Sequence, residues 1–406
     1  MAAIEVRPCG SAEELRAALS AIWHYFGGTA TDEDAERFLQ LLELERMHAA
    51  FDGERIVGGA GAWTYRVSVP GGDSVPCAGV TVVGVLPSHR RRGVLRSLMR
   101  AQLEDCRARG DAAAYLWASE GTIYPRFGYG LASRVGRMSL SRDRTRFAEP
   151  FEPRGEVRLV DLEEAAGAFP PLYEQLAAQR PGMFSRSARW WERRRLFDDP
   201  QHRENGEKNL ALLELDGEPA GYAIYSVKQS WDDAGFSTGV VRIEEAVAVT
   251  PEAERELWRW LLDFDWTSEL VAERLPLDHP LFLLLAEPRR MRFMLNDGVW
   301  VRLLDVEAAL SARSYATEDE VVIEVRDGFL PEVGGRYRVS RRGCERTNAP
   351  ADLALDVGAL GSVYLGGFGF ADLARSLRVE ELSEGALERA DALFRTSSLP
   401  WCAEIF

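Results

Sequence analysis

The sequence predicts an α/β (α+β) protein of several domains, in which helices flank mixed sheets. Three observations support this class. The 406 residues are enough for two or three domains of ordinary size. Strand and helix patterns alternate over about the first 140 residues, which is typical of an α/β sheet domain. A strand, turn, strand pattern centred on 52–54 recurs at 216–218, an offset of 164 residues, which indicates an internal duplication.

The elements of the first segment follow in order. A Ser-x-x-Glu capping box opens a helix over 11–26, and an Asp-Gly turn centres a hairpin over 47–72. A strand over 80–85 leads into a basic turn. The helix that follows, over about 92–109, carries its apolar residues on one face, and a strand over 112–119 completes the pattern.

The two copies of the duplicated pattern differ in one turn. The turn at 52–54 and the strand end at 83–87 both recur at the offset of 164 residues. The first copy then has a basic turn with a glycine at 89–93, whereas 253–257 has two acids and no glycine. We therefore expect the second turn to hold no phosphate. From about residue 290 the pattern changes, which predicts a third α+β unit.

Composition narrows the class of partner. Hydrophobic residues make up 46% of the chain, charged residues 28%, and the net charge is −15, values typical of a soluble globular protein. Nucleic acid and membrane surfaces require broad positive patches, so we expect neither as a partner. The five cysteines are scattered without a CxxC pair, which favours a reducing compartment and no metal site. No signal region or membrane-length apolar run occurs, so a cytoplasmic location is expected.

The basic turn after the strand at 80–85 is the strongest functional signal. The first N–H groups of a helix lack intrahelical partners and its dipole favours an anion, so a strand, turn and helix start together bind phosphate oxygens. Gly93 allows close approach to the backbone, and the arginines supply counter-charge. Arginines are unfavourable for a helix N-terminus itself, which indicates an anionic ligand. A solvated basic helix start is the alternative interpretation.

The turn resembles the acetyl-CoA signature of the GNAT N-acetyltransferases, (Gln/Arg)-x-x-Gly-x-(Gly/Ala), with Leu95 in the last position. This form, together with the stretches at 118–130, 297–306 and 360–367, resembles the Eis-type (enhanced intracellular survival) subfamily over the whole chain. The resemblance implies tandem GNAT-like domains followed by a sterol-carrier-like α+β domain, assembled as a homo-hexamer. The implied domains are a catalytic one at 1–150, a GNAT-like one without cofactor at 151–290, and a sterol-carrier-like one at 291–406, whose C-terminus enters the active site.

The same resemblance implies a set of site residues. Acetyl-CoA is the implied co-substrate, with its pantetheine beside the last strand residues, its pyrophosphate on the basic turn and no metal. Tyr124 is implied as the general acid that protonates the leaving thiolate. The C-terminal carboxylate of Phe406 is implied as the general base, and none of the five histidines falls in a motif. The implied cofactor-binding residues are Val83, Gly84, Val85, Arg91, Arg92, Gly93, Val94, Leu95, Arg96, Ser119 and Glu120.

The implied activity is N-acetylation of amines on aminoglycoside-like polycations or on protein lysine side chains. An acidic, aromatic pocket suits such a cation, and Trp23, Phe26 and Glu404 are candidates to line it. Aromatic residues of this kind are more often core residues. Two other functions stay open: a non-catalytic CoA-binding sensor and a lipid carrier. A sensor would lack Tyr124 and an apolar tail, and a carrier would need a long apolar tunnel.

Overall fold

A computed structural model describes residues 4–198 and 200–406 of the chain. The chain forms two compact units that do not follow its order. The first unit comprises the residues up to Ala132, the segment Val299–Ser397 and Phe406. The second comprises Ser133–Gly298 and Ser398–Ile405. Within the described ranges, no helix has both the length and the apolar character needed to cross a bilayer.

The helices and strands are numbered in chain order. Before Ser133 they are β1 (Glu5–Pro8), α1 (Ala12–Trp23), α2 (Asp32–Leu39), β2 (Met47–Asp52), β3 (Arg55–Ser68), β4 (Ser74–Val85), α3 (Val94–Ala108), β5 (Ala113–Trp117) and β6 (Gly130–Leu131). Up to Gly298 they are β7 (Arg134–Ser141), β8 (Gly155–Leu159), α4 (Leu162–Ala177), α5 (Ala188–Trp190), β9 (Lys208–Leu215), β10 (Glu218–Lys228), β11 (Val240–Ala248), α6 (Pro251–Leu261), β12 (Glu269–Leu275), α7 (Leu281–Leu284) and β13 (Met294–Asp297). From Val299 they are β14 (Val299–Leu303), α8 (Val306–Ala312), β15 (Glu320–Arg326), β16 (Gly335–Ser340), β17 (Gly343–Arg346), β18 (Leu353–Asp356), α9 (Val357–Tyr364), α10 (Phe370–Arg375), β19 (Val379–Glu381) and α11 (Ala386–Phe394).

Each unit contains a seven-stranded sheet, and the two sheets share one plan. The first has the order β1-β2-β3-β4-β5-β14-β6 and the second, read from the corresponding edge, β8-β9-β10-β11-β12-β7-β13. One pair of neighbours in each sheet is parallel, β4 with β5 and β11 with β12. These occupy the same position in the order, which confirms the predicted tandem of related domains.

The sixth strand of each sheet comes from an unexpected part of the chain. In the first sheet it is β14, which follows the whole second unit in sequence, and in the second sheet it is β7. The segment from Ser133 to 150, which the sequence analysis placed in the first domain, therefore supplies a strand to the second unit. Strand pairing at this separation in sequence leaves no local signal, because β propensity does not specify the partner strand.

The third predicted unit is an α+β structure within the first compact unit. Its five-stranded sheet has the order β17-β16-β15-β18-β19. Helix α9 is buried along its whole length and packs on β14 and β6. A Cβ added to Gly361 would overlap the carbonyl oxygen of Val301. The glycine at this position therefore permits the close approach of α9 to the sheet.

Candidate functional site

A cleft in the first unit begins where the parallel strands β4 and β5 separate. They pair only between Cys77–Gly79 and Ala113–Tyr115, whereas β4 continues to Val85. Two residues of β4 face a single residue of β3 in this stretch, and the extra residue makes a bulge at which Val82 has a φ of 45°. Because a bulge bends the strand that carries it, the end of β4 diverges from β5 and the sheet forks.

A cavity of about 830 Å³ lies at this fork. Most of the site residues predicted from the sequence line it, although they come from three separate parts of the chain. They are Phe26, Val83, Gly84, Val85, Arg91, Gly93, Val94, Leu95, Arg96, Ser119, Glu120 and Tyr124. The fork therefore collects the strand end, the basic turn and the segment after β5 around one space.

The basic turn has a conformation suited to an anion. Arg91 and Gly93 have φ angles of 60° and 83°, both in the left-handed region. Helix α3 begins at Val94 without a side-chain cap, and the bond from the Ser97 N–H to the Gly93 carbonyl, 3.0 Å, is its first turn. The N–H groups of 94–96 therefore have no acceptor within the helix, and the positive end of its dipole lies at the cavity.

Three predicted site residues do not line the cavity. The guanidinium of Arg92 pairs with Asp52 at 3.2 Å, because the left-handed residues on either side of it turn consecutive side chains in different directions. Trp23 packs edge-on against Phe38, with ring centroids 6.4 Å apart. Glu404 belongs to the second unit, where arginine side chains neutralise its charge. We therefore assign neither direct phosphate contact to the Arg92 side chain nor substrate binding to Trp23 and Glu404.

A polar cluster that the sequence analysis missed holds the turn. Asp52 Oδ2 lies 3.1 Å from His89 Nε2 and also accepts a hydrogen bond from Arg92. The second ring nitrogen of His89 lies 2.9 Å from the hydroxyl oxygen of Ser88. These contacts, the one with His89 first, keep the pKa of Asp52 below its usual value. Arg92 and His89 therefore tie the turn to the end of β2.

Tyr25 is a second residue that the sequence analysis missed. It lines the cavity, and its hydroxyl donates to the carbonyl oxygen of Val85 at 2.5 Å. The same hydroxyl accepts a hydrogen bond of 2.8 Å from Arg90 Nε. The available signal was its place beside Phe26 in the aromatic run at 22–28.

Tyr124 is buried at the cavity, with 6% of its surface exposed. Burial raises the pKa of its phenol to about 12, and a hydrogen bond with Ser119 opposes this shift without cancelling it. The ring packs edge-on against Tyr129, with centroids 5.8 Å apart. The phenol therefore keeps its proton at neutral pH and is able to donate it.

The last residue of the chain lies at the base of the fork. The ring of Phe406 stacks on Tyr115, with centroids 5.2 Å apart and an interplanar angle of 11°. It also meets Tyr65 edge-on at 5.2 Å. The hydroxyl of Thr81 donates to the terminal oxygen of Phe406 at 3.3 Å. Tyr115 is the last residue of β5 paired with β4 and Thr81 follows that pairing on β4, so the terminal carboxylate lies where the strands separate.

Known families match most of this chain. Acetyltransferase (GNAT) domain families match residues 5–132 and 182–303, and a sterol carrier protein domain family matches 306–403. The N-acetyltransferase Eis of Mycobacterium tuberculosis is 36% identical over 354 residues, which cover 84% of each chain. The chain belongs to the Eis family of N-acetyltransferases. The tandem GNAT domains and the sterol-carrier-like domain are thereby confirmed, and the protein is an acetyltransferase.

Other relatives extend the likeness over the whole Eis-type chain. An N-acetyltransferase of Streptomyces avermitilis is 41% identical over 388 residues, which cover 93% of each chain. The crystal structure of Eis1 from Mycobacterium abscessus has a TM-score of 0.86 at 36% identity and covers 99% of this chain and 100% of that chain. The Eis architecture is therefore present from the first GNAT domain to the C-terminal segment.

Proposed function

We propose that this Eis-family enzyme transfers the acetyl group of acetyl-CoA to amines of aminoglycoside-like polycations, with protein lysine side chains as a second class of substrate. The observation that carries the proposal is the fork in the first sheet. One side of its cavity offers a cationic turn with helix N–H groups, and the terminal carboxylate lies at its base. An anionic co-substrate and an amine that loses a proton would use these two features respectively.

The residues present fit acetyl-CoA. The backbone of Val83, Gly84 and Val85 would bind the pantetheine, because it faces the gap between the strands. The pyrophosphate would take the N–H groups of 94–96 and the charge of Arg91. Arg92 would act indirectly, through its bond to Asp52.

The transfer requires a neutral amine, a polarised carbonyl and a proton for the departing sulfur. The amine nitrogen forms a bond to the thioester carbon, and the carbon–sulfur bond breaks. A backbone N–H near the end of β4 would stabilise the oxygen that develops negative charge. Tyr124 gives its proton to the sulfur, and the carboxylate of Phe406 takes the proton that the amine loses. The proton count is balanced, because one is donated and one is accepted.

The cavity also has features that suit a cation. The ring of Phe26 lines it with 77% of its surface exposed, and Glu120 lines it as well. An exposed ring face and a carboxylate both attract ammonium groups. The test is to incubate the enzyme with acetyl-CoA and a panel of aminoglycosides and lysine peptides, and to follow thiol release and product mass. A sensor would bind acetyl-CoA without releasing thiol, and a lipid carrier would do neither.

Replacing Gly93 with glutamate should weaken acetyl-CoA binding by about 100-fold or more, because a negative charge would stand where the pyrophosphate binds. A Cβ at Gly93 meets no atom within 4 Å, so the change fits sterically. Calorimetric titration with acetyl-CoA measures the effect.

The matched control for this variant is Gly110→Glu, just beyond the opposite end of α3. Gly110 also has a left-handed φ, 85°, and open space around its Cβ. The backbone strain of about 1–2 kcal/mol is therefore the same in both variants. Equal affinities of Gly93→Glu and Gly110→Glu for acetyl-CoA would contradict the assigned phosphate site.

The raised pKa of Tyr124 predicts the shape of the pH profile. An acid whose pKa is about 12 stays protonated up to about pH 10. We expect kcat to rise with pH as the substrate amine loses its proton, with no descending limb below about pH 10. A descending limb that disappears in Tyr124→Phe would show that the phenol titrates in this range and would contradict the prediction.

A further inference from the structure

The sheet of the second unit forks at the place equivalent to the first. Strands β11 and β12 pair between Val240–Ile243 and Glu269–Ala272, and β11 continues to Ala248. One extra residue of β11, Glu244, makes a bulge opposite β10. The pairing ends at Ile243, which is 164 residues after the last paired residue of β4, Gly79. The duplicated domain has therefore kept the cleft of its relative.

The helix at this second fork begins differently. The side chain of Thr250 accepts a hydrogen bond of 3.1 Å from the Ala253 N–H, so it caps α6, whereas α3 has no side-chain cap. Glu252 and Glu254 add negative charge to the first turn of α6. A phosphate would meet a capped and acidic helix end there. The second fork is therefore unsuited to the ligand that the first one fits.

The C-terminal segment of the chain fills the second fork. The indole N–H of Trp401 donates to the carbonyl oxygen of Arg274 at 2.5 Å, and Arg274 Nε donates to that of Ala403 at 3.0 Å. The backbone N–H of Trp401 donates to Pro181 at 2.8 Å. A remaining cavity of about 40 Å³ is lined by Trp401 and Ala403 together with residues of β11 and β12. The segment thus binds as a peptide would.

A buried charge cluster holds the end of this segment. The carboxylate of Glu404 lies 3.0 Å from the guanidinium of Arg186 and accepts a hydrogen bond of 3.1 Å from Trp190 Nε1. Arg186 also binds Glu245 of β11 through two bonds of 2.9 and 2.6 Å. One guanidinium therefore bridges a strand of the fork and the tail.

The cluster is fixed by its surroundings. The side chains of Arg186 and Glu245 are fully buried. Burial opposes ionisation of Glu245, but Arg186 and Arg195 outweigh it and lower the pKa of Glu245 to about 2. Arg194 donates a hydrogen bond of 3.0 Å to the carbonyl oxygen of Ile405. The backbone is thus fixed up to the peptide group that precedes Phe406.

We propose that Glu404 and Arg186 are positioning residues, which hold the C-terminal segment in the second fork as an internal peptide ligand and so fix the terminal carboxylate two residues later. The inference rests on the proposed role of Phe406 as general base. It gives the second GNAT-like domain a task in the reaction: its cofactor cleft has become the binding site for the segment that carries the base.

The test compares the full-length chain with Glu404→Gln, which keeps the shape of the side chain and an acceptor for Trp190 but removes the charge that pairs with Arg186. A carboxypeptidase that removes C-terminal aromatic residues is added, and loss of Phe406 is followed by mass spectrometry. We expect release at least about tenfold faster than in the wild type, because a charge-assisted bond is lost. The matched control is Glu218→Gln, an exposed glutamate of the same unit.

Two further measurements separate positioning from a general loss of stability. Hydrogen exchange in Glu404→Gln should increase at 398–406 and stay at wild-type protection in α4 and β10. Turnover should fall by at least about tenfold, while the KM for acetyl-CoA stays unchanged. Glu404→Asp, which keeps the charge on a shorter side chain, should recover part of the lost turnover.

Release of Phe406 and turnover at wild-type values in Glu404→Gln would overturn the inference. Exchange that rises throughout the second unit would also overturn it, because the role would then be structural. Faster release with unchanged turnover would overturn the positioning role. The proposed function itself fails in a different experiment, extension of the C-terminus, so the two failures are distinguishable.

Discussion

Two glycines added after Phe406 should reduce turnover by about 10²–10⁴-fold, the contribution of a well-placed general base. They move the terminal carboxylate by roughly 7 Å along an extended chain and leave every side chain in the sequence unchanged. In the native chain the terminal oxygen is bound by Thr81 at the base of the fork. The extended chain would place an uncharged peptide group there. Thiol release from acetyl-CoA, measured with a saturating aminoglycoside, reports the change.

The extension has two controls. An N-terminal extension by two glycines should leave turnover at the wild-type rate, and acetyl-CoA affinity of the C-terminally extended chain should be unchanged in calorimetry. Wild-type turnover by that chain would show that bulk water or another group accepts the proton from the amine. Loss of both affinity and turnover would instead indicate that the extension disturbs the cavity, and the base would have to be sought elsewhere.

Tyr124→Phe should lower kcat by about 10²–10⁴-fold, because the thiolate would leave without a proton from a positioned acid. Burial has raised the pKa of this phenol to about 12, so the wild-type enzyme holds the acid in its protonated form. Acetyl-CoA affinity should change little, since only one oxygen atom is removed. Pre-steady-state thiol release measures the chemical step directly.

Tyr129→Phe is the matched control for Tyr124→Phe. The ring of Tyr129 packs against that of Tyr124, and its buried hydroxyl has no hydrogen-bond partner among the described residues. Removal of that hydroxyl should therefore leave kcat near the wild-type value. Equal losses in the two variants would point to packing of the aromatic pair, and unchanged kcat in Tyr124→Phe would remove Tyr124 from the mechanism.

Local patterns account for much of what the sequence predicted. The run from β4 through the basic turn into α3 was predictable because strand periodicity, Gly93 and the amphipathic helix all lie within about 30 consecutive residues. The tandem domains were predictable because the duplicated turn and strand end share one offset. The apolar tail indicated burial, and Phe406 and Trp401 are both buried.

The directions of side chains were not predictable from the same patterns. Arg91 and Arg92 are neighbours in one arginine run, yet one lines the cavity and the other binds Asp52. The left-handed backbone at 91 and 93 decides this, and a run of like residues carries no record of it. Glu404 was predicted to bind the substrate because it stands beside the terminal residue, whereas its carboxylate is bound by Arg186 and Trp190.

The sequence by itself determined the class of fold, the family and the residues of the turn, because each depends on residues close together in the chain. Only the tertiary structure decided which strands complete each sheet, since β14 and β7 pair with strands remote from them in sequence. It also decided that the second fork holds Trp401 and that Thr81 and Tyr115 surround Phe406. Contacts of this kind join residues hundreds of positions apart, and their stability comes from burial and pairing in the folded chain, which no local pattern encodes.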